Sequence, residues 1–138
     1  MSDFDGGPRW PGTPYPGMFA VDIRTGETLW YTPHEDQCRG REFCQPGISA
    51  AASSLPGGVI AGAMDGVLRA YDRASGEVVW AFDTAVDFAA LNGRQASGGS
   101  MGGASGPVFS GDMLFVNSGY GIYFHMPGAV LLAFGPRE

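Results

Sequence analysis

The chain has 138 residues and a net charge of −6, and its 23 Gly and 10 Pro make up about a quarter of it. With 44% apolar and 12% aromatic residues it can still fill a core, so the composition excludes a disordered chain, a helical bundle and a basic nucleic-acid-binding face. All eight basic side chains are Arg, which excludes lysine Schiff-base chemistry and a P-loop, and no apolar run reaches the ~18 residues of a membrane span.

In chain order, residues 1–17 predict an irregular Pro/Gly-rich lead-in, with Pro8, Pro11, Pro14 and Pro16 interrupting it. The acidic start Met1-Ser2-Asp3-Phe4-Asp5 lacks the basic and apolar regions of a signal peptide. Residues 18–32 predict two strands around a tight turn, where Asp22 accepts hydrogen bonds from turn N–H groups and Gly26 supplies a positive φ. A long connection, Tyr31–Gly47, carries His34, Cys38 and Cys44. Zinc would need a fourth ligand and usually has closer cysteines, whereas a disulfide would suit an exported chain.

Residues 47–84 predict a complete four-stranded antiparallel unit, beginning with Ile48–Leu55 and Gly58–Met64 and turning at Asp65-Gly66. The second long connection, Ala85–Ser105, reads as one helical turn over Asp87–Leu91, then Arg94 and the Gly98-Gly99 and Gly102-Gly103 pairs. As a surface residue, Arg94 would pair with Asp87. Residues 104–134 predict three further strands, Gly106–Ser110, Met113–Asn117 and Ala129–Phe134, with a third long connection at Ser118–Gly128.

The order is set by a repeat. Phe19-Ala20-Val21-Asp22-Ile23-Arg24-Thr25-Gly26-Glu27-Thr28-Leu29-Trp30 returns as Arg69-Ala70-Tyr71-Asp72-Arg73-Ala74-Ser75-Gly76-Glu77-Val78-Val79-Trp80. The Asp, Gly, Glu and Trp positions recur 50 residues apart without a gap, and Val130–Phe134 begins a third copy. Four-stranded units at this period define an all-β, antiparallel β-propeller. Residues 18–138 supply a half blade at 18–32, a complete blade at 47–84, and a blade lacking its outer strand at 104–134. That makes about two and a quarter blades, whereas a closed ring needs roughly four to eight. The remaining blades, or another chain, would have to close the ring.

The Ala-x-Asp-x-x-(Thr/Ser)-Gly-Glu-x-x-Trp pattern resembles the tryptophan-docking repeat of the quinoprotein alcohol dehydrogenase-like, PQQ-binding propeller family. Asn117-Ser118-Gly119-Tyr120-Gly121 and Met126–Phe134 are similar to the C-terminal part of the polyvinyl-alcohol dehydrogenase type. The resemblance implies a periplasmic or secreted oxidoreductase that oxidises an alcohol with pyrroloquinoline quinone (PQQ) and Ca²⁺ and passes electrons to a cytochrome c. Two departures stand out: Cys38 and Cys44 are not the adjacent cysteine pair of many members, and no Cys-x-x-Cys-His haem motif is present. Members without quinone also exist, so a cofactor-free binding or assembly module and an inactive truncated remnant are alternatives.

The long connections all leave the second or fourth strand of a blade, so they are expected on one face, where any site belongs. There Arg94 is a candidate clamp for a quinone carboxylate, Asn117 an oxygen donor to Ca²⁺, and Tyr120 a stacking partner for the quinone plane. Each has a plainer reading, as a surface Arg, a strand-end Asn and a core-covering ring. His125 is a conceivable base, no catalytic Asp is assignable, and Trp30 and Trp80 read as blade packing.

Overall fold

The computed structural model describes residues 15–103 and 106–136, all in strands, turns and loops without a helix. The candidate lead-in prolines Pro8, Pro11 and Pro14 lie outside the described residues. The first blade contributes β1 (Gly17–Val21) and β2 (Thr28–Pro33). The second is a complete antiparallel sheet of β3 (Ser53–Leu55), β4 (Gly58–Gly62), β5 (Val67–Asp72) and β6 (Val78–Asp83), in that spatial order. After it comes a hairpin of β7 (Asp87–Ala89) and β8 (Gln95–Ser97), then a third blade of β9 (Val108–Ser110), β10 (Met113–Ser118) and β11 (Val130–Phe134). The architecture is therefore a partial propeller.

The two repeat copies fold alike because their turns use the same chemistry. In each, the Asp N–H donates to the Glu carbonyl (2.9 Å for Asp22–Glu27, 2.8 Å for Asp72–Glu77), and the Gly N–H returns to the Asp carbonyl. The Asp22 carboxylate accepts from Arg24 N–H at 2.8 Å, and that of Asp72 from Ala74 and Ser75 N–H at 2.9 and 2.8 Å. These bonds hold both carboxyls below their ordinary pKa, with the Arg24 side chain the largest cause at Asp22 and the Ser75 N–H at Asp72. Gly26 and Gly76 sit at φ 76° and 75°, backbone that a side chain resists. Both hairpins also shift register at the same repeat position, Ala20/Val21 and Ala70/Tyr71.

Blades join through the repeat's own residues. Trp30 lies flat on the turn of the next blade: a Cβ at Gly76 would stand 2.5 Å from its ring. Its indole N–H donates to the Arg73 carbonyl at 3.0 Å, and the Thr32 hydroxyl to that of Gly76 at 2.6 Å. One blade on, Trp80 and Phe82 meet Phe134 edge-to-face at 5.6 and 5.1 Å between ring centroids. The buried core, Ile60, Leu68, Met101, Leu114 and Val116, fills the space between the second and third blades. Gly26, by contrast, has open space over it.

Two elements differ from the expectation: of the predicted strand Ile48–Leu55 only Ser53–Leu55 is paired, and the helical turn is absent. Asp87–Leu91 is not a helical turn: Asp87, Phe88 and Ala89 pair with Ser97, Ala96 and Gln95. Gly93 at φ 77° closes the hairpin, and the Ser97 hydroxyl donates to the Asp87 carboxylate at 2.5 Å. This cross-strand bonding outweighs the local helix preference of Ala and Leu. The described residues thus hold eleven strands rather than nine.

Candidate functional site

The three long connections knit together on one face. From the first, the Arg41 guanidinium donates to the Asp65 carbonyl at 3.2 Å, and to Ala85 at the start of the second, also at 3.2 Å. Its ion pair with Asp83 is 3.7 Å long. The second and third connections meet at Ser100, which is fully buried. Its N–H donates to the Met126 carbonyl, its carbonyl accepts from Gly119 and Tyr120 N–H, all at 2.9 Å, and its hydroxyl bonds Met64 and Met126. Ser118 is a second buried knot, with its hydroxyl 2.7 Å from that of Thr84 and accepting from Gly99 N–H at 2.9 Å.

These knots frame an open concavity of about 480 Å³, which brings Asn117 and Tyr120 together with Gly102, Gly103, Gly119 and Leu131. Asn117 is exposed at the end of β10, opposite Leu131 on β11. The Tyr120 ring covers the Gly102–Gly103 backbone so closely that a Cβ on either would stand 2.9 or 3.2 Å from it. The glycine pair therefore serves the approach of an aromatic ring. Arg94 is not part of the lining: it is exposed in the β7–β8 turn, its N–H bonded to Asn92 Oδ1 at 3.1 Å. Nor does it pair with Asp87, whose carboxylate takes the Ser97 hydroxyl instead.

Beside the concavity the same face holds a buried ion pair, Asp65 with Arg69, at 2.6 and 3.2 Å through both carboxylate oxygens. Asp65 also accepts from Val67 N–H at 2.9 Å, so the turn after β4 is locked from within. Next to it, buried His34 places one ring nitrogen 2.7 Å from the Pro46 carbonyl and the other 2.5 Å from the Tyr71 hydroxyl. Burial pushes the Tyr71 hydroxyl up to about 12 and the His34 imidazole down. Tyr71 is therefore the donor, and neutral His34 donates from Nδ1 to Pro46. His34 is thereby committed to a loop, and the cysteines to each other: Cys38 and Cys44 are joined in a disulfide. A second concavity of about 460 Å³ is lined by His34, Arg69 and Asp83, which have these partners, and by Glu35 and Arg39.

Two of the groups that the resemblance implies for a quinone and calcium site, Asn117 and Tyr120, line this concavity. The Tyr120 ring and the Asn117 amide face one space, as a planar ligand and a hard cation would require. The lining holds no carboxylate, and among the described residues no group of three or more His, Cys, Asp or Glu could hold a metal ion. Calcium takes roughly six to eight oxygens, so most of them would have to come from other blades.

Sequence reasoning missed the structural roles of Asp65, Arg69, Thr84, Ser100 and Ser118, whose buried bonds hold this face together. For Asp65 and Arg69 the signal was available in their four-residue spacing across a tight turn. No local pattern marks a serine whose partners lie about thirty residues away.

No family model matches the chain. It is 44% identical over 108 residues to a polyvinylalcohol dehydrogenase of Pseudomonas sp., and 42% identical over 109 residues to one of Sphingopyxis sp. (strain 113P3). Each match covers 76% of this chain, which spans only 17% and 16% of those proteins. A quinohemoprotein alcohol dehydrogenase of Pseudomonas putida is 33% identical over 75 residues, 54% of this chain and 10% of the relative.

Proposed function

Because the chain belongs to the quinoprotein alcohol dehydrogenase-like family, we propose that it is a segment of a PQQ-dependent dehydrogenase acting on alcohols of the polyvinyl-alcohol kind. The observation that carries this reading is the concavity that unites Asn117 and Tyr120 on the face where all three long connections meet. Bound PQQ with Ca²⁺ would supply the acceptor for the two electrons that leave the carbinol carbon. This chain's part is to hold and orient. Tyr120, fixed over Gly102–Gly103, offers a flat apolar surface, and Asn117 offers an amide oxygen. Arg94 offers a free-standing guanidinium at a hairpin tip, suited to a ligand carboxylate that a complete ring brings to it. Electrons would leave to a cytochrome c. The disulfide supports a periplasmic or secreted setting, since such bonds persist in oxidising compartments.

The lining without carboxylates favours a second reading, a cofactor-free propeller segment that binds or assembles. Native mass spectrometry with PQQ and Ca²⁺ separates the two. Added mass that disappears in Asn117→Ala and Tyr120→Ala supports the dehydrogenase reading. No gain of mass at millimolar cofactor, once the missing blades are supplied, supports the binding module.

A further inference from the structure

Ile122, Tyr123 and Phe124 stand 53%, 70% and 72% exposed in succession, a run that a folded surface avoids unless it is used. Their backbone is not relaxed: Tyr123 and Phe124 sit at φ 58° and 61°, and Phe43, on the disulfide loop, at φ 59°. Left-handed backbone is unfavourable for large side chains, and such strain persists where surrounding structure enforces it. Enforcement is visible on both loops. Met126 is pinned to Ser100 from both its N–H and its carbonyl, and buried His125 packs 6.1 Å from the Tyr120 ring. Phe43 precedes the disulfide's Cys44, and its ring lies 6.1 Å from that of Phe124, bridging the two loops. Two fixed loops thus turn an aromatic rim outward beside the concavity.

The geometry points to this rim as a binding strip for an extended neutral polyol chain, which it would feed toward Asn117 and Tyr120. The identity of the polymer rests on the dehydrogenase reading above. The indole-on-turn joint between the first two blades uses Trp30, Arg73 and Gly76 and leaves Ile122, Tyr123 and Phe124 out. A polyol of alternating methylene and carbinol carbons fits them. Its C–H faces lie on aromatic rings while its hydroxyls stay in water, and a neutral chain is not repelled by a protein of net charge −6. Several rings in line make affinity grow with chain length.

The test is affinity electrophoresis of the full chain through native gels containing polyvinyl alcohol, without PQQ or Ca²⁺. Retardation is expected with the long polymer and not with 2,4-pentanediol, its two-carbinol fragment. A Tyr123→Ser/Phe124→Ser double variant and, on the other loop, Phe43→Ser should each weaken it about tenfold. Thermal unfolding should stay unchanged, because these side chains are exposed. Ile23→Ser, which removes a 98% exposed apolar side chain on a distant turn, should not weaken it. Equal loss in Ile23→Ser would mean indiscriminate adsorption and overturn the proposal. So would a concentration-dependent dimer that Phe124→Ser dissolves, or the absence of retardation. Retardation in a protein that gains no PQQ and Ca²⁺ even with the missing blades supplied would leave the strip standing and remove the dehydrogenase reading; cofactor gain without retardation does the reverse.

Discussion

His34 and Tyr71 make acid and alkali act on the same loop. Burial holds the folded His34 pKa below the 6.5 of an unfolded histidine, so between those values the unfolded chain binds the extra proton. Its contribution is therefore complete above about pH 6.5 and declines as pH falls toward the folded value. Urea midpoints should drop between pH 7 and 5, and His34→Gln should flatten that slope. Tyr71 works in the opposite sense. Its pKa is raised from 10.0 to about 12, so stability is lost as pH climbs between these values. Tyr71→Phe should abolish the alkaline loss while costing ~1–3 kcal/mol at neutral pH, because His34 Nε2 is left buried and unpaired. Neither residue was legible as a pair: they lie 37 positions apart, and only folding brings them to 2.5 Å.

At the scale of elements, the two turn glycines form an internal control. Gly26 and Gly76 share a φ near 75°, so either Gly→Ala change meets the same backbone penalty of ~1 kcal/mol. Only at Gly76 does the new methyl also strike the Trp30 ring, adding ~1–3 kcal/mol of overpacking. Chemical denaturation of the two variants should show that difference, and it measures the blade junction. Both turns were readable from sequence because Asp, Gly and Glu act within six residues of one another. The β7–β8 hairpin was not, because Asp87–Leu91 carries helix-favouring Ala and Leu while its pairing partners begin at Gln95. The same asymmetry separates Asn117 and Tyr120, which stand out as residue types at a loop mouth, from the buried serines beneath them.

The whole molecule exposes what a larger ring would cover. Phe19, Val21 and Leu29 of the first blade are 45%, 49% and 65% exposed, and among the described residues β1 pairs only with β2. Such an edge invites intermolecular pairing. Sedimentation should show self-association that rises with concentration. Fusing an additional copy of residues 47–84 ahead of Gly17 should suppress it and raise the melting temperature, with Gly26→Val cancelling much of the gain. The propeller class follows from the repeat, whereas the position of these blades in a ring does not.

The indole that rests on its neighbour's turn gives the assembly a direction. The second unit carries a plug, Trp80, on one flank and a socket, Gly76, on the other, so units of this kind join in one orientation, like tiles cut with a single tongue. Duplication or exchange of whole units preserves every joint, while a crossover inside a sheet breaks one. Shuffling experiments on such rings therefore have natural seams, and those seams run between Trp30 and Gly76 and between Trp80 and Phe134.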